Sequence, residues 1–181
     1  ILCILSTLCI RFIFPQWSLE GKSFWIIRLS PVSLKKIYIE KFIFSMSLVA
    51  GLSVFLITIS NFMLNLETTA FLLILGIIAV SSFTMVSLSL GLGAYFADFS
   101  QDYYLRSVES FGGFIALVFN FAYIILTVLI FTWITYANSS AKLFYFKQIL
   151  AIVFVSWSIL SFVLSFIANT KGLSRLREKE Y

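Results

Sequence analysis

Four stretches of the chain carry no acidic or basic side chain: Phe42 to Leu66, Thr68 to Ala97, Ser110 to Ala141 and Gln148 to Thr170. Apolar residues run through each of them continuously rather than in alternation, which is the pattern of a helix apolar on all sides. At 1.5 Å per residue even the shortest, Gln148 to Thr170, covers about 34 Å, against a hydrocarbon layer of about 30 Å. Only helices and closed barrels satisfy every backbone group in that layer, and continuous apolarity excludes the barrel. The pattern predicts an all-α, polytopic integral membrane helix bundle with complete spans at 42–66, 70–97, 112–136 and 148–170. Composition agrees, because 61% hydrophobic and 12% charged residues do not suit a soluble domain of this length.

The chain begins Ile1-Leu2-Cys3-Ile4-Leu5 without Met and without a charged lead-in, so residues 1–14 read as the end of a truncated fifth span and not as a signal peptide. A fragment of a longer membrane protein is expected. Cys3 and Cys9 have no metal-ligand or redox spacing and read as small buried hydrophobes.

Charge sets the orientation. Arg11, Lys22, Arg28, Lys35, Lys36 and Lys41 precede the first complete span, Arg106 lies in the second link, and Lys171, Arg175, Arg177 and Lys179 form the tail. If four spans alternate sides, all of these share one face, and only Lys142 and Lys147 lie on the other. The positive-inside rule makes the basic face, with the 171–181 tail, cytoplasmic. The net charge of +5 is then a topology signal and an attraction to anionic membrane lipids, with no implication of nucleic acid.

Residues 15–41 form the one substantial stretch that does not span. Trp17, Phe24 and Trp25 recur at helical spacing among Glu20, Lys22, Ser23 and Arg28, which predicts a short amphipathic helix lying on the membrane surface. Ser30-Pro31 breaks it. The same pair can open the next helix, with Ser30 as N-cap and Pro31 at the first helical position, and Lys35, Lys36 and Lys41 can snorkel to headgroups. After the spans, Gly172 suits a helix C-cap.

Two faces of small residues are expected to let helices approach closely: Ser89, Gly93 and Ala97 with Gly91 beside them, and Gly112, Ala116 and Asn120 with Gly113 beside them. The serines of the spans read as packing hydroxyls. There is no His, and no span carries a charged group in its interior, so no catalytic residue and no metal ligand set is expected on the chain. Asp98, Asp102 and Glu109 could share a helix face and hold a divalent cation, or simply form a solvated elbow. Gly91-Leu92-Gly93-Ala94 lacks the lysine and hydroxyl of a phosphate loop, so nucleotide would have to bind another polypeptide.

The stretch Ser18-Leu19-Glu20-Gly21-Lys22-Ser23-Phe24-Trp25-Ile26-Ile27-Arg28-Leu29-Ser30-Pro31-Val32-Ser33, with Lys41 opening the next span, resembles the coupling segment of type-2 ATP-binding-cassette (ABC) exporter permeases. A second similarity follows in Gly91-Leu92-Gly93-Ala94-Tyr95-Phe96-Ala97-Asp98-Phe99 and Ser107, Glu109, Ser110-Phe111-Gly112-Gly113. Together they cover roughly Ser18 to Tyr123. The resemblance implies the membrane-spanning permease part of an exporter in a bacterial plasma membrane, moving a substrate that the sequence does not identify. Glu20, Gly21, Lys22, Trp25, Arg28, Pro31 and Ser33 would couple it to a cytoplasmic ATP-binding subunit that holds ATP and magnesium. A second permease half or a second copy of the chain would complete the unit. A non-transporting membrane scaffold or anchor is the alternative that the residues themselves leave open.

Overall fold

The computed structural model describes residues 1–23, 33–65, 67–97, 111–141 and 146–178. Among them there is no strand, and every element is helical. A short helix α1 (Leu2–Leu8) loosens into a π turn at Cys9–Ile13 and tightens into 3₁₀ turns at Phe14–Gln16 and Ser18–Ser23. Pro15 explains the irregularity: it has no N–H to give to the preceding turn, and its ring crowds that turn's carbonyls. Four long helices follow, α2 (Leu34–Leu64), α3 (Thr68–Tyr95), α4 (Phe111–Ala141) and α5 (Phe146–Glu178). Each is long and apolar enough to cross a membrane.

α2 and α5 outrun their charge-free stretches, while α3 and α4 stay within theirs. α2 starts eight residues ahead of Phe42, and its N-cap is Ser33, in extended backbone and without a side-chain capping bond. Ser30 therefore does not take that place. At the other end of α2, Asn65 sits in the left-handed region at φ 45° and ends the helix, a conformation that Asn tolerates better than most residues. The hairpin to α3 is correspondingly tight.

α3 is the hub. It packs along α5, α2 and α4 and against the irregular turns before α2, and from Ser81 to Ala94 almost every residue is buried. The surrounding helices bury only one side and turn Phe44, Phe55, Phe62, Phe162 and Phe166 outward. The buried side is the more polar one: Ser45, Ser53, Ser81, Ser82, Thr84, Ser87, Ser89, Asn120, Thr127, Ser161 and Ser165 are each at most 4% exposed. This inversion fits a bundle solvated by lipid, where close packing and interhelical hydrogen bonds hold helices together, because apolar burial contributes little there.

The two small-residue faces meet. Asn120 donates to Ser89 Oγ at 3.0 Å and to the Ala116 carbonyl at 2.9 Å. Gly91, Gly93, Gly112, Gly113 and Ala116 are all buried. Gly172 does not cap α5, which runs six residues further. A Cβ on Gly172 would lie 2.6 Å from the Gly91 carbonyl, and one on Gly91 would lie 2.6 Å from the Ala168 carbonyl, so the two glycines let the backbones of α3 and α5 touch. Of the cysteines, both free, Cys9 is buried but Cys3 is exposed.

Candidate functional site

The turns that follow Pro15 fold back onto the start of α2. Trp17, expected to lie on the membrane surface, is instead fully buried. Its indole stacks on Tyr38 of α2 at 5.7 Å between ring centroids, 24° from parallel. Tyr38 donates its hydroxyl to Asn169 Oδ1 of α5 at 2.8 Å. One residue pair thus joins the first and last of the long helices.

Lys41 is the second tie. Its ammonium lies 2.6 Å from Glu20 Oε1, donates to the Gln16 carbonyl at 3.0 Å and stands 4.8 Å from the centre of the Trp17 ring. The expected snorkel to headgroups is replaced by these contacts, because the folded-back turn brings a carboxylate and an orphan carbonyl within reach. The Lys41 and Glu20 side chains are only 21% and 19% exposed, so the pair is partly desolvated and stronger than a surface ion pair. Glu20, expected to stand available to a partner, is turned toward its own chain. Gln16 and Ser45 form a third tie: the Gln16 amide donates to Ser45 Oγ at 2.9 Å, and the hydroxyl lies 3.1 Å from Gln16 Oε1.

These ties form an elbow latched to α2, which Tyr38 ties in turn to α5. Beside it Gln16, Leu19, Glu20, Glu40, Lys41 and Phe44 line an open depression of about 470 Å³, and Ser33, Lys35, Lys36 and Glu40 are exposed nearby. Of the residues that the sequence nominated for coupling, Glu20 and Ser33 are placed by the structure. Gly21 and Lys22 lie in the 3₁₀ turn Ser18–Ser23, and Trp25, Arg28 and Pro31 lie outside the described residues, as do Asp98, Asp102 and Glu109. Ser18–Ser23, the described part of the predicted surface helix after Trp17, is 3₁₀, and the rest of that helix lies outside the described residues. Sequence reasoning missed Gln16, Tyr38, Ser45 and Asn169. Tyr38 and Asn169 are 131 positions apart, and no local pattern links them.

Removing the Tyr38 hydroxyl tests the span-to-span tie. Tyr38→Phe keeps the stack on Trp17 and is expected to cost about 1 kcal/mol. In a double-mutant cycle with Asn169→Leu, thermal unfolding of the detergent-solubilised protein should show the two losses failing to add.

All 181 residues match the family model described as "Putative ATP-binding cassette". No curated protein and no solved structure matches the chain.

Proposed function

We propose, because the chain belongs to the family of that description, that it is the membrane-spanning part of an ABC exporter and that the latched elbow receives motion from an ATPase on a separate polypeptide. Four helices long and apolar enough to span, with no phosphate loop in the sequence, support a division of labour in which this chain provides the path and another chain hydrolyses ATP and holds magnesium. The observation that carries the reading is the latch itself. A surface segment can move a spanning helix only if it is fixed to that helix, and Lys41 and the Trp17–Tyr38 stack fix this one to α2, which the Tyr38–Asn169 bond ties in turn to α5.

In this reading Glu20 and Lys41 position the elbow, while Gly21, Lys22, Trp25, Arg28 and Pro31 meet the partner. The basic end of the bundle, with the C-terminus, faces the cytoplasm of a bacterial cell, and a second permease half or a second copy completes the unit. A photo-crosslinking residue at position 22 or 28 of the full-length protein, expressed with the ATPase encoded beside it, is expected to capture that ATPase. Capture of lipid alone at both positions would remove the coupling role.

A further inference from the structure

α4 and α5 both pack on α3, and they touch each other where Tyr123 meets Ser161 at 2.9 Å between oxygens and stacks on Trp157 at 5.2 Å. From that contact to the basic end of the bundle a groove of about 720 Å³ runs between them, open on one side and lined almost wholly by apolar groups, among them Leu92, Phe119, Leu160 and Leu164. Tyr95 and Lys171 stand at its mouth. Lys171 is exposed, and the Arg175 guanidinium lies 5.8 Å from the centre of the Tyr95 ring.

We infer that this groove is a binding site for an anionic phospholipid, with an acyl chain along the walls and the headgroup phosphate at Lys171. Length supports it. Trp157 and Lys171 are fourteen residues apart on α5, about 21 Å at 1.5 Å per residue, which matches half of a bilayer of about 40–45 Å including its headgroups. Charge supports it as well. Apart from Tyr95, Tyr123, whose hydroxyl is already bonded to Ser161, and the Trp157 indole, the walls are apolar, and among the described residues the one formal charge lining the groove is the cation at its mouth, where the headgroups of one leaflet lie. A lysine at that depth favours a headgroup with net negative charge over a zwitterionic one, whose phosphate is offset by its own cation. The site does not rest on the transport reading, since binding needs neither ATP nor a partner.

The test uses the purified full-length protein in vesicles carrying photoactivatable, alkyne-tagged phosphatidylglycerol or phosphatidylcholine with the same acyl chains. Phosphatidylglycerol adducts should map to α4 and α5 residues of the groove, with about a five-fold preference over phosphatidylcholine from one cation. Lys171→Glu, a change at an exposed position, should abolish the preference, and Lys171→Arg should keep it. Leu164→Trp, which fills the groove, should lower adducts of both lipids. Equal labelling by the two lipids, a preference unchanged in Lys171→Glu, or crosslinks from position 164 to a second copy or to another part of the chain would overturn the site.

Discussion

Gly91→Leu is expected to cost about 3 kcal/mol, the upper end for overpacking a well-filled interior, and to leave little folded protein after extraction into detergent. The reason is geometric. A Cβ at position 91 would lie 2.6 Å from the Ala168 carbonyl oxygen and 2.7 Å from its carbon, and backbone, unlike the end of a side chain, cannot step aside. α3 and α5 must separate, and because α3 is the hub, its contacts with the other helices shift with it. Gly172→Leu meets the same obstacle from the other side, with the Gly91 carbonyl 2.6 Å from the new Cβ. Gly51→Leu is the control: nothing lies within 4 Å of a Cβ there, and leucine is the better helix former by somewhat under 1 kcal/mol. Size-exclusion profiles after heating should therefore show Gly51→Leu at least as stable as the parent and both other variants collapsed. A Gly91→Leu protein as stable as the parent would mean that α3 and α5 do not touch.

The second large effect concerns coupling. Glu20→Arg puts a cation against Lys41 where a carboxylate now lies at 2.6 Å. The elbow should lose its hold on α2, and on the proposed exporter reading the ATP hydrolysis that the chain stimulates in its partner ATPase should fall about ten-fold, within the range that coupling energies between sites usually span. Lys41→Glu should do the same for the mirror reason. Combining the two restores an opposite-charge pair, so the double variant should recover much of the stimulation. Recovery stays incomplete, because the Gln16 carbonyl loses its donor and the Trp17 ring its cation. Membrane insertion of all three proteins should be unchanged, since none of the substitutions touches a charge-free stretch. A double variant as defective as either single one would show that the pair does not hold the elbow.

The four spans were readable because the bilayer imposes one rule on every residue inside it, and the runs without charge record that rule directly. Their ends were less readable for the same reason. The absence of charge marks where lipid begins, whereas α2 and α5 carry Lys35, Lys36, Glu40 and Lys171 as helical residues outside it. Gly172 shows a second limit: a glycine near the end of an apolar run can cap a helix or admit a neighbour, and only the approach of Gly91 separates the two. The small faces around Ser89 and Ala116 were visible as spacing, and the Asn120 to Ser89 bond brings them together. The latch was not visible. Trp17 and Lys41 both looked like membrane-surface residues, since each is amphipathic, and their partners came from a chain reversal, while Tyr38, on which Trp17 stacks, bonds a residue 131 positions away. What placed Glu20 in a functional segment was resemblance, and what the structure adds is that its carboxylate closes on Lys41.

The claim on which the rest depends is that the elbow and the basic helix ends next to it face the cell interior, where an ATPase can push on them. Lys35, exposed on the first turn of α2, offers the most direct measurement, through the reaction of a Lys35→Cys protein with a membrane-impermeant maleimide, taken relative to the parent protein. Labelling confined to inverted vesicles is the predicted result, and labelling of intact cells would contradict the account.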